Sequence, residues 1–199
     1  MPFKSKLKRL AEVDMPTEWG AFRMIAYAQQ ISEKMPHLAY VTKDLNVDEP
    51  VLVRLHSECM TGDVFHSLRC DCGQQLSYAM EEIAKNKNGV LIYLRQEGRG
   101  IGLINKMKAY QWQDKGMDTV QANVHLGFEP DQRDYHDAAT ILSDLKIKEI
   151  NLMTNNPHKI KEIKELGFEV KSRVPILITP NNINEFYMNT KHEKMGHLH

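Results

Sequence analysis

The chain has little cysteine, little tryptophan and no excess of charge of either sign. Its 199 residues include three cysteines and two tryptophans, and its basic and acidic side chains number 26 each. A balanced charge creates no field that would draw the chain to nucleic acid or to an anionic membrane surface. No run approaches the roughly 20 apolar residues of a membrane span. We therefore expect neither nucleic acid nor membrane as a partner.

The chain also lacks the signals of an exported, disulfide-bonded protein. Residues 1–10 are basic but contain no apolar stretch of the kind a signal peptide needs. An odd number of cysteines excludes a fully paired disulfide framework. Reduced thiols without an export signal are typical of the cytoplasm, where we expect this protein. The length predicts a single domain over residues 1–199.

The few cysteines that are present lie close together in the sequence. Cys59, Cys70 and Cys72 all fall within residues 59–72. Three thiolates with one open position is the ligand count of a catalytic zinc site, because structural zinc sites have four protein ligands. Zinc lowers the pKa of the water it binds to about 7. The cluster therefore predicts a hydrolase with one zinc ion.

Two other interpretations of the cysteine cluster stay open. His56 or His66 could supply a fourth ligand and close the site as a structural one. The thiols could also be ordinary buried or redox-active cysteines, although Glu58 and Asp71 make the segment polar. The spacing matches no common zinc-finger pattern, so it favours zinc without fixing the role of the metal.

Strand and helix patterns alternate from about residue 50 onward. Apolar runs predict strands at 51–55, 90–94, 149–153 and 169–174. Helical spacing predicts helices at 76–84 with a stop at Gly89, at 103–114, at 138–145, and from 157 to a stop at Gly167. The first fifty residues suggest a group of antiparallel strands. We predict an α/β fold, with mixed β-sheet layers and flanking helices, and a site at the carboxyl ends of the strands.

Two loops that follow predicted strands contain residues suited to binding phosphate. In residues 95–102, glycines at alternate positions allow close backbone approach, and the following helix N-terminus favours an anion. The segment is not a P-loop, and a simple tight turn explains it equally well. Residues 154–159 repeat the layout, with Lys159 near the helix start. With Arg54 and Arg99, the two loops could hold a polyphosphate.

Taken together, these residues resemble GTP cyclohydrolase II, the zinc enzyme that opens riboflavin synthesis. The matching segments are 54–63, 68–73, 95–102, 105–106, 109–110, 118–120, 133–134, 152–157 and 194–197. They follow one another in order through residues 50–197, while residues 1–50 match more weakly. Many members carry a fused dihydroxybutanone-phosphate synthase domain, for which this chain has no room. We therefore expect the monofunctional form.

The resemblance implies an activity, its cofactors and an assembly. GTP would lose pyrophosphate, and C8 as formate, to leave 2,5-diamino-6-ribosylamino-4(3H)-pyrimidinone 5′-phosphate. The implied cofactors are one zinc ion per subunit and magnesium on the substrate phosphates. The implied assembly is a homodimer.

The resemblance also implies roles for individual residues. Zinc would be bound by Cys59, Cys70 and Cys72. Contacts to GTP are implied for Arg54, Leu55, His56, Ser57, Glu58, Gln75, Glu97, Gly98, Arg99, Thr119, Thr154 and Lys159. The implied catalytic residues are Asp131 as proton acceptor, Arg133 as nucleophile and Tyr110 as an aid to ring opening.

Several alternatives to these assignments remain at this point. A guanidinium has a pKa above about 12 and no free lone pair at neutral pH, so Arg133 could instead stabilise charge in a phosphoryl transition state. Tyr110 also suits a helix aromatic packed in the core. The chain as a whole could be a relative that stops at the formamide, a cyclohydrolase for another purine nucleotide, or a non-catalytic zinc-stabilised binding module.

Overall fold

The computed structural model describes residues 6–184 and Gly196, so the matching segment at 194–197 lies outside the described residues except for Gly196. The strands are β1 (Lys8–Thr17), β2 (Gly20–Ala28), β3 (His37–Thr42), β4 (Val51–Ser57), β5 (Gly89–Leu94), β6 (Glu149–Met153) and β7 (Glu169–Val174). The helices are α1 (Met60–Asp63), α2 (Cys72–Asn86), α3 (Gly102–Gln113), α4 (Thr119–His125), α5 (His136–Asp144) and α6 (Pro157–Glu165), with a 3₁₀ turn at Glu97–Gly100.

The seven strands form one mixed sheet in the order β1-β2-β3-β5-β4-β6-β7. The first three strands and β5 pair in antiparallel fashion. Strands β5, β4, β6 and β7 pair in parallel. The α/β fold predicted from the sequence is confirmed, and the antiparallel strand group suggested for the first fifty residues corresponds to β1–β3. None of the described helices is long and apolar enough to cross a membrane.

Strand β4 lies in the middle of the parallel half and is covered on both faces. Its residues 51, 53 and 55 belong to the apolar cluster that packs α5 and α6 on the sheet. Leu52 belongs to the second cluster, which packs α2 on the opposite face. Because side chains alternate along a strand, Arg54 and His56 share the face of Leu52. The contact between Arg54 and Gln75 of α2 agrees with that assignment.

The structure corrects the predicted end of α2 and adds two short helices, α1 and α4. Helix α2 ends at Asn86, and Lys87 caps it in the left-handed conformation, with φ of 63°. Gly89 begins β5 instead, at a place where a Cβ would lie 2.9 Å from the Leu52 carbonyl oxygen. Helix α1 and helix α4, which is capped by the Asp118 side chain, are not predicted from the sequence. A helix of one or two turns carries too little periodicity to be recognised.

Strands β4, β5 and β6 run in parallel, so their carboxyl ends meet at one edge of the sheet. Cys59 follows the end of β4, the 3₁₀ turn follows β5, and Thr154 follows β6. The predicted site residues from three separate parts of the chain are thereby brought to a common edge, as expected for parallel α/β sheets.

Candidate active site

One cleft opens at this edge of the sheet. All of the site residues predicted from the sequence line it, except Leu55 and Asp131. The Leu55 side chain is fully buried in the core, and its backbone carbonyl accepts a hydrogen bond from Lys159 Nζ at 2.8 Å. Asp131 is paired with Arg133, which does line the cleft.

The three cysteines converge in one wall of the cleft. Their Sγ atoms all lie within 4.8 Å of one another, and Cys59 and Cys70 are separated by 3.7 Å. Zinc–sulfur bonds are about 2.3 Å long, so sulfurs at these separations can share one zinc ion with little adjustment. Gly62 leaves room beside them, because a Cβ there would lie 2.9 Å from Cys70 Sγ. The donor set and the space both fit a zinc ion.

Contacts within the triad shift the pKa values of the three thiols in different directions. Contacts from Cys70 and Cys72, together with the Lys106 ammonium, hold the pKa of Cys59 well below its ordinary value. The contact with Cys59 raises the pKa of Cys70 to about 11, and it also raises the pKa of Cys72. A thiophilic cation that binds here must therefore displace the protons that remain on these thiols.

Neither histidine considered as a fourth ligand joins the triad. Among the described residues, the group of potential metal ligands consists of the three cysteines alone. His66 is exposed and has a φ of 51°. His56 Nε2 lies 3.0 Å from an Asp63 carboxylate oxygen. This arrangement favours the interpretation with three protein ligands over a closed structural site.

Gly62 gives a test of whether the triad holds an ion. A Cβ at this position would also lie 3.2 Å from Cys59 Sγ, so we expect Gly62→Ala to crowd the sulfurs and retain less than one zinc per chain. Gly127→Ala is the control, because its Cβ would contact nothing within 4 Å although its φ is +82°. That backbone conformation costs about 1 kcal/mol but should leave zinc content unchanged. Full zinc content in Gly62→Ala, measured by elemental analysis, would contradict the expectation.

A buried network fixes His56 beside the triad. Asp63 accepts hydrogen bonds from Tyr93 Oη at 2.8 Å and from the Cys59 backbone N–H at 3.0 Å, in addition to contacting His56. The His56 and Tyr93 rings stack with their centroids 5.5 Å apart. Burial lowers the pKa of His56, so its imidazole is neutral at pH 7.

Two buried cations stand on the floor of the cleft. Arg54 is 6% exposed and donates to the Met153 carbonyl at 3.1 Å and to Gln75 at 2.6 Å. Burial lowers its pKa to about 10, which leaves it charged at neutral pH. Lys159 is 5% exposed and reaches across from α6. These hydrogen bonds go to neutral oxygens, and both cations line the cleft, where they can attract an anion.

Arg133 carries a third positive charge into the cleft. Its Nε and Nη2 donate to the two carboxylate oxygens of Asp131 at 2.8 and 2.5 Å. Burial opposes ionisation of Asp131, but these hydrogen bonds and the charge of Arg133 hold its pKa below the ordinary value. The carboxylate therefore fixes the plane of the guanidinium and keeps it protonated.

The glycine-containing loop is bound tightly to the cysteine segment. Glu97 accepts hydrogen bonds from the backbone N–H groups of Met60 and Gly98, each at 2.7 Å. Gly98 and Arg99 both adopt the left-handed conformation, with φ of 63° and 62°. For Arg99 this conformation is strained, and such strain is concentrated at functional sites. The loop is thus more than the simple tight turn that the sequence allowed.

The remaining predicted residues occupy the rim and the ends of the cleft. The Glu58 carboxylate forms an ion pair with Arg95 and accepts its hydrogen bond at 2.8 Å. The Ser57 hydroxyl donates to the Gln96 side-chain oxygen at 3.3 Å. Thr119 begins α4. Thr154 is 1% exposed, and its hydroxyl accepts from the Asn156 backbone N–H at 3.0 Å. Tyr110 lies on α3, is partly exposed, and belongs to neither apolar cluster.

Sequence reasoning missed several residues that the structure places at this site. Lys106 and Gln96 line the cleft, and Asp63 and Tyr93 hold the buried network behind it. The position of Asp63, four residues after Cys59, was an available signal, because polar residues close to metal ligands often orient them. Lys106 lies in the matching segment 105–106, but a lysine on a helix is normally a solvated residue, so no role was assigned to it.

Comparison with known proteins agrees with these observations. The family profile described as GTP cyclohydrolase II matches residues 8–175. The chain is 53% identical over 196 residues to the riboflavin biosynthesis protein RibBA of Chlorobium phaeovibrioides, covering 98% of this chain and 48% of that one. It is 50% identical to the GTP cyclohydrolase-2 of Tolumonas auensis, covering 98% of each chain. For the GTP cyclohydrolase-2 of Haemophilus influenzae the identity is 49%, with coverage of 97% and 89%.

The chain therefore spans about half the length of the RibBA relative and nearly all of the Tolumonas relative. Among solved structures it is similar to RibBX, a two-domain 3,4-dihydroxy-2-butanone 4-phosphate synthase from A. baumannii. The TM-score is 0.50 at 18% identity, covering 89% of this chain and 42% of that one. That likeness concerns the fold alone. The profile match and the sequence identities show that this chain belongs to the GTP cyclohydrolase II family.

Proposed function

We propose that this chain hydrolyses GTP to 2,5-diamino-6-ribosylamino-4(3H)-pyrimidinone 5′-phosphate, formate and pyrophosphate, as the name of its family indicates. The observation that carries the proposal is the composition of a single cleft. Three cysteine sulfurs stand in one wall, and the cations Arg54, Arg133 and Lys159 stand around them. A thiolate metal site beside a polycationic pocket suits metal-assisted hydrolysis of a nucleotide.

The triad of Cys59, Cys70 and Cys72 would hold the zinc ion. When bound, zinc supplies Lewis-acid activation of the water that adds to C8. C8 must be attacked twice, first to open the ring and then to release formate from the formamide, and the three cysteines would hold the ion for both additions. Tyr110 lines the same cleft and carries a hydroxyl that can relay a proton as the ring opens.

The cations Arg54 and Lys159 would bind the triphosphate. Arg54 and Lys159 donate hydrogen bonds to carbonyl or amide oxygens and line the cleft, where their positive charge can attract phosphate oxygens. Thr154 and the residues 97–99 supply polar groups on either side of them. A triphosphate in this position would bind to donors that the fold already holds in place, so the site would reorganise little on binding.

For Arg133 we propose charge stabilisation rather than nucleophilic attack. Its guanidinium is paired with Asp131 through two donors, which keeps it protonated and without a lone pair. For Asp131, the lowered pKa makes it a weak proton acceptor and a good positioning group for the guanidinium. Arg133 would then neutralise charge on the phosphoryl group as pyrophosphate leaves.

We also propose a magnesium ion, a dimeric assembly and a cellular location for this chain. Magnesium would travel with the substrate phosphates, since the cysteine triad is the sole cluster of three or more potential ligands among residues 6–184. A homodimer, a cytoplasmic location and a single cyclohydrolase domain over residues 1–199 stay predictions. The family match itself covers residues 8–175.

Substrate choice provides the direct test of the proposed function. Glu58 is a cleft carboxylate, and carboxylate oxygens accept hydrogen bonds from the N1–H and 2-amino groups of guanine, which adenine lacks. With zinc and magnesium present, we expect formate and pyrophosphate from GTP, and at least about 10²-fold less of both from ATP, because adenine would leave buried groups unpaired. The products are measured by formate dehydrogenase coupling and a pyrophosphate assay.

Each alternative function gives a different outcome of this assay. A relative that stops at the formamide would release pyrophosphate without formate. Comparable turnover of ATP would indicate a cyclohydrolase of broader specificity. A binding module would yield neither product from any nucleotide.

A further inference from the structure

Lys106 is a buried lysine with a full set of partners beside the cysteine triad. It is 9% exposed, and its ammonium donates to Cys59 Sγ at 3.0 Å, to Thr61 Oγ1 at 2.9 Å and to Glu97 Oε1 at 2.9 Å. An ammonium has three donors, so these contacts use its whole capacity. Neither its charge nor its hydrogens are left free to bind a nucleotide phosphate, and its role must lie elsewhere.

The surrounding backbone is shaped to admit this side chain. Gly98 adopts a φ of +63°, and a Cβ on it would lie 3.1 Å from Lys106 Cβ. Glu97, the carboxylate partner of Lys106, also accepts the backbone N–H of Met60, the residue that follows Cys59. The lysine thus joins three parts of the site: the cysteine segment, the glycine-containing loop and α3.

We propose that Lys106 is a positioning residue for the metal, holding the Cys59 thiolate in place and withdrawing negative charge from its sulfur. This inference rests on the proposed zinc site. Three thiolates and one zinc ion carry a net charge of −1, and strong donation from three sulfurs weakens the metal as a Lewis acid. A cation that donates directly to one sulfur offsets that charge. Groups outside the ligand shell tune metal sites in this way.

The test compares Lys106→Met with Lys108→Met, the exposed lysine two positions along the same helix. Each variant and the wild type are loaded with cobalt(II) in place of zinc, and the thiolate-to-cobalt charge-transfer band is recorded. Removing the ammonium should raise the energy of the sulfur electrons. We expect this band to shift to longer wavelength in Lys106→Met, and to stay unchanged in Lys108→Met.

Zinc affinity, measured by competition with a chromophoric chelator, gives a second readout. Loss of a partner outside the ligand shell weakens metal binding or activity by about 10- to 100-fold, and we expect a loss of this size for Lys106→Met. An unchanged charge-transfer band would overturn the proposal. If affinity alone falls, Lys106 merely supports the loop, and the proposed effect on the sulfur is wrong.

A second variant and two measurements on the wild type separate a failure of the Lys106 proposal from a failure of the proposed function. If Lys106→Met fails to fold by circular dichroism, Lys106→Gln, which keeps a neutral N–H donor, takes its place in both measurements. A wild type that binds neither cobalt nor zinc would refute the metal site itself, and with it the zinc part of the proposed function. A wild type that binds metal but yields no formate would refute the function and leave the role of Lys106 to be decided by the spectra.

Discussion

A folded Cys70→Ser variant is expected to release pyrophosphate from GTP while releasing no formate. Formate requires water activated at the metal, and loss of one of three ligands removes that activation. Pyrophosphate release depends on the cations. Lys159 is held by the Leu55 carbonyl and Arg133 by Asp131, so neither depends on the cysteine segment. Arg54 is linked to that segment through Gln75 and Asp71, but it also donates to the Met153 carbonyl at the end of β6. Both products are quantified from the same reaction, together with GMP.

The control for this variant is Ser67→Ala, a change in the same segment that touches no sulfur. It should release both products at a rate close to that of the wild type. Circular dichroism of Cys70→Ser must match the native spectrum before its kinetics are interpreted, because metal binding can contribute to folding. A folded, zinc-free variant that releases neither product would show that the two half-reactions are coupled through the metal. Continued formate release would make the metal structural.

The Arg133→Lys variant is expected to lose at least about 10²-fold in turnover, the scale of removing one preorganised transition-state donor. Lysine keeps the positive charge but loses the planar fork that faces Asp131 with two donors. The loss should fall mainly on kcat, because the interaction strengthens as charge develops on the leaving group. Single-turnover measurement of pyrophosphate release isolates this step.

Arg23→Lys is the matched control, since Arg23 forms an ion pair with Glu12 on β1, outside the residues that line the cleft. Such exposed pairs contribute about 0–1 kcal/mol, so turnover should be unchanged. Near-normal pyrophosphate release by Arg133→Lys would exclude Arg133 from both roles considered for it, nucleophile and stabiliser.

The parts of this site that were predictable from the sequence are those with local signals. Cys59, Cys70 and Cys72 lie close together in the chain, and the strands that precede the loops are short apolar runs bounded by polar residues. Both patterns are set by neighbours in the sequence, so they can be recognised without the fold. The family resemblance added roles for residues such as Arg133, whose local context is unremarkable.

The parts that escaped prediction depend on contacts between distant segments. Lys106 meets Cys59 across 47 positions, and Tyr93 meets Asp63 across 30. Lys106 lies in the matching segment 105–106, but no local pattern assigns it a role that the exposed Lys108 lacks. The end of α2 was misplaced for a related reason: Lys87 takes the left-handed capping position that glycine usually occupies, and Gly89 is required by close packing in β5.

The alternation along β4 has a consequence for folding as well as for binding. In the native register Arg54 pairs with Leu91 of β5. A slip by one position would turn the guanidinium toward the aliphatic layer under α5 and α6, away from Gln75 and the Met153 carbonyl. An unpaired charge in such surroundings costs several kcal/mol, far more than the loss of one aliphatic contact. Arg54, which would bind the substrate, therefore also disfavours misaligned pairings of β4 with its neighbours while the sheet assembles.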